Sequence, residues 1–117
     1  MAYFGTTGVA MWINFRGTGS ISIRESYRIA SLTDHGTGNY NLNFSFTVVD
    51  SSGNLFDEYA AVGSVGDNSG FTGGYNPERM IKFSNFSNGG VRIHCRSSTG
   101  GSADETSICC MIAGVYN

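Results

Sequence analysis

Glycine-rich turns divide this sequence into short segments, and that spacing restricts the chain to a fold built from β-strands. Glycine accounts for 17 of the 117 residues, and no helix of about ten residues can be drawn in any segment. A glycine inside a helix costs roughly 1 kcal/mol relative to alanine. Turns are predicted at residues 17–19, 36–38, 51–54 and 88–90, where glycine permits the positive φ of tight hairpins.

Alternating apolar and polar residues identify the strands between these turns. The alternation is clearest in Tyr40, Leu42, Phe44 and Phe46, and it recurs over residues 91–95 and 21–23. A period of two is typical of a strand with one buried face. Predicted strands span residues 10–15, 20–29, 30–34, 39–48, 59–65, 80–85, 90–96 and 106–116.

About eight strands at regular spacing indicate a single all-β domain. We predict a compact antiparallel β-sandwich or jelly-roll-like domain without substantial helix, which spans residues 9–117. A short N-terminal docking segment, Met1 to Gly8, is expected to precede it.

The last predicted strand is apolar on both faces, because residues 108–113 form one continuous apolar run. Such a strand is covered on both sides, by the core and by a second subunit. Charged residues make up only 14% of the chain, well below the usual ~25%, so polar groups cover its surface poorly. Both features favour self-association over the alternative, a monomer with a large core.

Charge and hydropathy exclude two classes of partner. The net charge is −2 and the seven basic residues are scattered, so nucleic-acid binding is not expected. No stretch of 18 apolar residues exists, which argues against membrane insertion. Residues 1–5 lack the character of a signal peptide. We therefore expect synthesis in a cytosol and three cysteines that remain thiols.

The residues that usually carry catalysis are poorly placed. His94 and Cys95 are adjacent on a predicted strand and point to opposite faces, so Cys95 is expected in the core. Cys109 and Cys110 diverge for the same reason, which disfavours zinc. We predict no catalytic residue, no metal, no cofactor and no enzymatic activity. An enzyme such as a depolymerase, with carboxylates paired across strands, is a distant alternative.

The longest irregular stretch, residues 66–78, has the residue types of a binding loop. In and beside it, aromatic rings accompany amide and guanidinium donors: Phe71, Tyr75, Asn76 and Arg79. Aromatic faces stack on sugars, and the polar groups bind hydroxyls and carboxylates. These four residues are the candidate binding site. The alternative is that the two aromatic rings fold the loop back onto the core.

Between Trp12 and Phe44 the chain carries a long motif with fixed turn spacing. It comprises Trp12-Ile13-Asn14-Phe15, Gly17-Thr18-Gly19, Ile23-Arg24, Ser26-Tyr27, Ser31-Leu32-Thr33-Asp34, Gly36-Thr37-Gly38, Tyr40 and Leu42-Asn43-Phe44. This motif resembles a recurrent domain of tailed-bacteriophage tail fibres and related virion proteins. Looser similarity follows in residues 59–64 and in the last strand up to Tyr116.

Proteins of this kind are all-β, typically trimeric, non-enzymatic and displayed on the virion. The resemblance implies a homotrimeric tail fibre or fibre tip on the virion surface, which is made in the host bacterial cytoplasm and contacts other virion proteins. Host attachment is a candidate role, with a host surface glycan as partner. Arg16 and His35 depart from the family pattern, which usually has Asn or a small polar residue there.

Two alternatives to a tail fibre remain. Fibres usually carry a long N-terminal shaft, whereas only residues 1–11 precede this motif. That difference favours a short tip, a head fibre or a capsid decoration protein. The other alternative is a free-standing lectin-like module that binds a glycan through the loop at residues 66–78.

Overall fold

The computed structural model describes residues 6–66, 80–96, 101–102 and 107–116, and the regular structure in these ranges is entirely β-strand. The strands are β1 (Thr6–Arg16), β2 (Ser22–Tyr27), β3 (Ile29–Asp34), β4 (Asn39–Phe44), β5 (Val48–Val49), β6 (Ala60–Gly66), β7 (Met80–Ser87), β8 (Gly90–Arg96) and β9 (Ser107–Tyr116). The prediction of an all-β antiparallel sandwich is confirmed.

The nine strands form two antiparallel sheets. The larger sheet has the order β2-β1-β9, and β5 and β6 both pair with the remaining edge of β9. The smaller sheet has the order β3-β4-β8-β7. Strands β1 and β9 run side by side from the Thr6–Tyr116 pair to the Phe15–Ile108 pair, so the first and last strands form the centre of the larger sheet.

Two predicted strands are interrupted where the chain passes from one sheet to the other. The predicted strand 20–29 ends early because Arg28 adopts a left-handed backbone conformation, φ 63°, between β2 and β3. The predicted strand 39–48 divides into β4 and β5 at a bend over residues 45–46. Alternation continues through this bend, so Phe46 is buried like the residues of β4. A sandwich needs such crossings, and periodicity does not reveal them.

The core lies between the sheets and contains the alternating residues expected from the sequence. Tyr40, Leu42, Phe44, Phe46, Val91, Ile93 and Cys95 are all buried. The hydroxyl of Tyr40 donates a hydrogen bond to the Gly17 carbonyl at 2.8 Å, and its ring meets the Phe15 ring edge-on at 5.1 Å. The Tyr59 hydroxyl lies 2.8 Å from the Gly90 carbonyl oxygen. These bonds satisfy the polar ends of otherwise apolar side chains.

The expectation for residues 21–23 was only partly correct. Ile21 packs against the core, but Ile23 is 41% exposed. A bulge in the pairing of β1 with β2 between Asn14 and Phe15 places Ile23 opposite the buried Phe15, but β2 is the outermost strand of the sheet. A side chain on an edge strand reaches the rim of a sandwich rather than its centre.

Candidate functional site

The outer face of the larger sheet carries a row of large apolar side chains that crosses four strands. The register pairs Tyr27 with Trp12, Trp12 with Met111, and Met111 with Val62. A second row consists of Val9, Ala113 and Ala60, which are paired in that order and exposed. We call these seven residues the apolar face.

A β-bulge in β1 produces this arrangement. The register shifts between Val9 and Met11, so that Ala10 and Met11 are both fully buried. An extra residue reverses the alternation that follows. Trp12 consequently points outward on the same side as Val9, although the two are three residues apart.

The apolar face is well exposed and contains a groove. Exposed fractions are 58% for Val62, 42% for Met111, 41% for Tyr27 and 38% for Trp12. The groove has a volume of about 530 Å³ and lies over β1, β9 and β6. Cys109, half-buried, lines it between Asn14 and Ser64, whereas Cys110 points into the core. The predicted divergence of the two cysteines is confirmed.

The outer face of the smaller sheet is polar and basic. Arg92, His94 and Arg96 alternate with the buried residues of β8 and therefore share its outer side. Lys82 in β7 is paired directly with His94. We call Lys82, Arg92, His94 and Arg96 the basic face. Alternation along β8 brings three of these residues together, and antiparallel pairing with β7 adds Lys82.

Amide and hydroxyl side chains continue this surface across β4 and β3. Asn41 donates to Asn43 Oδ1 at 2.7 Å, and Asn43 donates to the hydroxyls of Ser31 and Thr33, each at 3.0 Å. The register pairs Asn41 with Arg92, so this polar ladder adjoins the basic face. The outward position predicted for His94 is confirmed.

His94 is hydrogen bonded to Ser84, with 2.8 Å between Nε2 and Oγ. Partial burial lowers the pKa of His94, and the charges of Arg96, Arg92 and Lys82 lower it further. A serine beside a neutral histidine has the outline of a nucleophile and its base. Among the described residues, however, no carboxylate is hydrogen bonded to the imidazole, and the pair lies on an open sheet. The geometry fits structural pairing.

Other features of the described residues bear on the candidate sites. The predicted loop residues Phe71, Tyr75, Asn76 and Arg79 lie outside these residues. Within them, no group of three or more His, Cys, Asp or Glu side chains is placed to hold a metal ion. The same part of the chain contains no helix that is long and apolar enough to cross a membrane.

Comparisons of the chain with protein-family models, curated proteins and solved structures give no significant match. The resemblance to phage virion domains therefore stays a prediction. Function has to be argued from the two outer faces. Sequence reasoning pointed to the apolar face through the doubly apolar last strand, and alternation placed residues 92, 94 and 96 together on the outer side of their strand. It did not place Lys82 beside them, because that pairing depends on a bulge between Ser84 and Ser87.

Proposed function

We propose that this protein is a non-enzymatic structural protein of a phage virion that assembles as a homotrimer through its apolar face. The observation that carries the proposal is the exposed row of Tyr27, Trp12, Met111 and Val62 across the larger sheet. Isolated exposed apolar residues are common, but contiguous ones usually mark an interface.

A second copy of the chain is the occupant that best fits this face. Its seven residues include no charged side chain, and the rows are apolar along their length. The chain as a whole is weakly charged, so copies repel one another little when they meet. In a trimer the three apolar faces would line the symmetry axis, and each would contact both neighbours.

The assembly is tested by solution mass and by substitutions that leave the core intact. Light scattering behind a sizing column should give three times 12.5 kDa. The double variant Val62→Gln and Met111→Gln should run as a monomer. Each amide buried without a partner costs about 1–3 kcal/mol, and a trimer repeats that cost in every subunit. Neutral glutamine leaves the net charge unchanged.

Leu55→Gln is the matched control for this variant. Leu55 is 67% exposed and follows β5 outside the apolar face. The control should remain a trimer, and circular dichroism should show the same β content for all three proteins. A monomeric wild-type protein would contradict the proposal, and so would equal dissociation of the control.

The virion location rests on the resemblance of residues 12–44. Immunogold labelling of phage particles with an antibody against the domain tests it. Label on the particle supports a virion protein, and its position separates a tail fibre from a head fibre or decoration protein. Particles without label would contradict the assignment.

A further inference from the structure

We propose that the basic face of the smaller sheet binds an acidic polysaccharide. Lys82 and Arg92 would contact its anionic groups, and the neighbouring amide and hydroxyl side chains its sugar hydroxyls. This site is separate from the apolar face and does not depend on the proposed assembly.

The first step of the argument is the concentration of cations. Lys82 stands opposite His94, and His94 lies between Arg92 and Arg96 on the outer side of β8. Directly opposed residues have Cβ atoms about 5 Å apart, so these groups share one patch. The chain has seven basic residues, and three of them meet here although its net charge is negative. A local excess of positive charge attracts anions.

Two observations on the described residues bear on the charges of Lys82 and Arg92. Partial burial and then the neighbouring cations hold the pKa of His94 below its usual value, and among the described residues no acidic group opposes this shift. Arg92 Nη2 lies 3.2 Å from His35 Nε2, so its hydrogen-bond partner is an imidazole and not a carboxylate. An anionic ligand would supply the missing negative charge.

The site also contains two buried polar atoms for which no hydrogen bond is found among the described residues. Arg92 Nε and Asn39 Oδ1 are buried and hold no partner. Asn39 is paired with His94, so both atoms belong to the same patch. Rotating either side chain toward a ligand breaks no hydrogen bond at these atoms. A donor and an acceptor would then meet an oxyanion and a hydroxyl.

The surroundings favour a polysaccharide over nucleic acid. The ladder of Asn41, Asn43, Ser31 and Thr33 offers amides and hydroxyls, which are the usual partners of sugar hydroxyls. The described residues of this outer face include no Phe, Tyr or Trp ring on which a base could stack. Three cations are also few for neutralising a row of phosphates.

The test measures binding of polygalacturonate, a carboxylated polysaccharide, by calorimetry at about 0.1 M salt, where the Debye length is about 10 Å, with neutral dextran as the uncharged probe. The double variant Lys82→Gln and Arg92→Gln should bind about tenfold more weakly or worse, because charge-assisted hydrogen bonds are lost. The matched control is Arg16→Gln with Arg24→Gln, which removes the same charge from exposed positions in β1 and β2 of the larger sheet. It should keep at least about half of the wild-type affinity, because distant charges are largely screened.

A second readout locates the ligand. In the wild-type protein, bound polygalacturonate should raise the His94 pKa, which the ring resonances report in a nuclear magnetic resonance titration. Equal losses in both double variants would overturn the proposal, because net charge alone would then explain the binding. Absence of binding, binding of dextran with the same affinity, or tighter binding of a DNA duplex of equal charge would also overturn it.

Discussion

At the scale of single residues, Tyr59 stabilises the core through both its ring and its hydroxyl. The ring packs edge-on against Phe44 and Phe86, and the hydroxyl lies 2.8 Å from the Gly90 carbonyl oxygen and 2.9 Å from that of Ser87. Burial raises the pKa of Tyr59 above its usual range, so the hydroxyl stays protonated and donates.

We expect Tyr59→Phe to lower the free energy of unfolding by about 1–3 kcal/mol. The ring is retained, but the buried Gly90 carbonyl and the partly buried Ser87 carbonyl lose the one hydroxyl proton that they share. Urea unfolding should show a lower midpoint with an unchanged slope. An unchanged midpoint would mean that the hydroxyl contributes no net stability.

His94 makes the free energy of unfolding depend on pH, and it lowers that free energy as the pH falls. Partial burial and the charges of Arg96, Arg92 and Lys82 lower its pKa in the folded protein from the ordinary 6.5. As the pH falls below 6.5, His94 therefore becomes protonated in the unfolded chain but stays neutral in the folded protein. The free energy of unfolding falls until the pH passes the lower pKa of the folded state.

The His94→Gln variant should consequently lose less stability than the wild-type protein between pH 7.5 and pH 5. Glutamine does not titrate, and all other groups contribute equally to both proteins. Denaturant unfolding at the two pH values measures the difference. A variant with the same loss would show that the His94 pKa is not lowered by folding.

At the scale of the strands, Gly63 lies where β6 of the larger sheet closely approaches β7 of the smaller sheet. A Cβ atom at this position would lie 2.9 Å from the Cys109 carbonyl oxygen, 2.9 Å from Ile81 Cδ1 and 3.1 Å from Phe83 Cζ. The backbone oxygen belongs to the paired strand β9 and cannot move without breaking that pairing.

We expect Gly63→Ala to destabilise the protein by about 1–3 kcal/mol, the usual range for overpacking. Gly89→Ala is the matched control, because a Cβ there meets nothing within 4 Å. Thermal unfolding of both variants tests the contrast. Equal melting temperatures would contradict the close approach of the two sheets at Gly63.

The strands could be predicted from the sequence, but the register between them could not. Turn glycines and alternation located eight strands, and the buried faces of residues 40–46 and 91–95 were correct. Alternation states which side chains share a face within one strand. The turn predicted at residues 88–90 indicates that β7 pairs with β8, but the bulge between Ser84 and Ser87 has no local signal. That bulge places Lys82 opposite His94.

The bulge at Ala10 illustrates the same limit. Strict alternation from Val9 would place Met11 outside and Trp12 inside, yet the structure has the reverse. Strand β1 accommodates the extra residue because its pairing with β9 fixes the register on both sides of the bulge. The outward position of Trp12, on which the apolar face depends, is therefore a property of the pair β1–β9.

At the scale of the whole molecule, the two outer faces divide the surface by chemistry. The larger sheet presents an apolar face and the smaller sheet a basic one, and the sandwich holds them on opposite sides of a single core. Assembly through the apolar face would leave the basic face outward in every subunit. A trimer would then display three copies of the basic face, and a repeating acidic polysaccharide would bind it with an avidity that a monomer lacks.

The reaction rates of the three cysteine thiols provide a test of this assembly that requires no change to the wild-type protein. Cys95 and Cys110 are buried, and burial raises the pKa of Cys110 above its usual range, so both should react only on unfolding. Cys109 lines the groove of the apolar face and should be covered in the trimer.

N-ethylmaleimide, a neutral reagent, should therefore modify the wild-type protein slowly. The monomeric variant Val62→Gln with Met111→Gln should show one fast thiol per chain, and adding Cys109→Ser should remove that phase. A wild-type thiol that reacts as fast as the variant's would place the groove in solvent and refute assembly through this face.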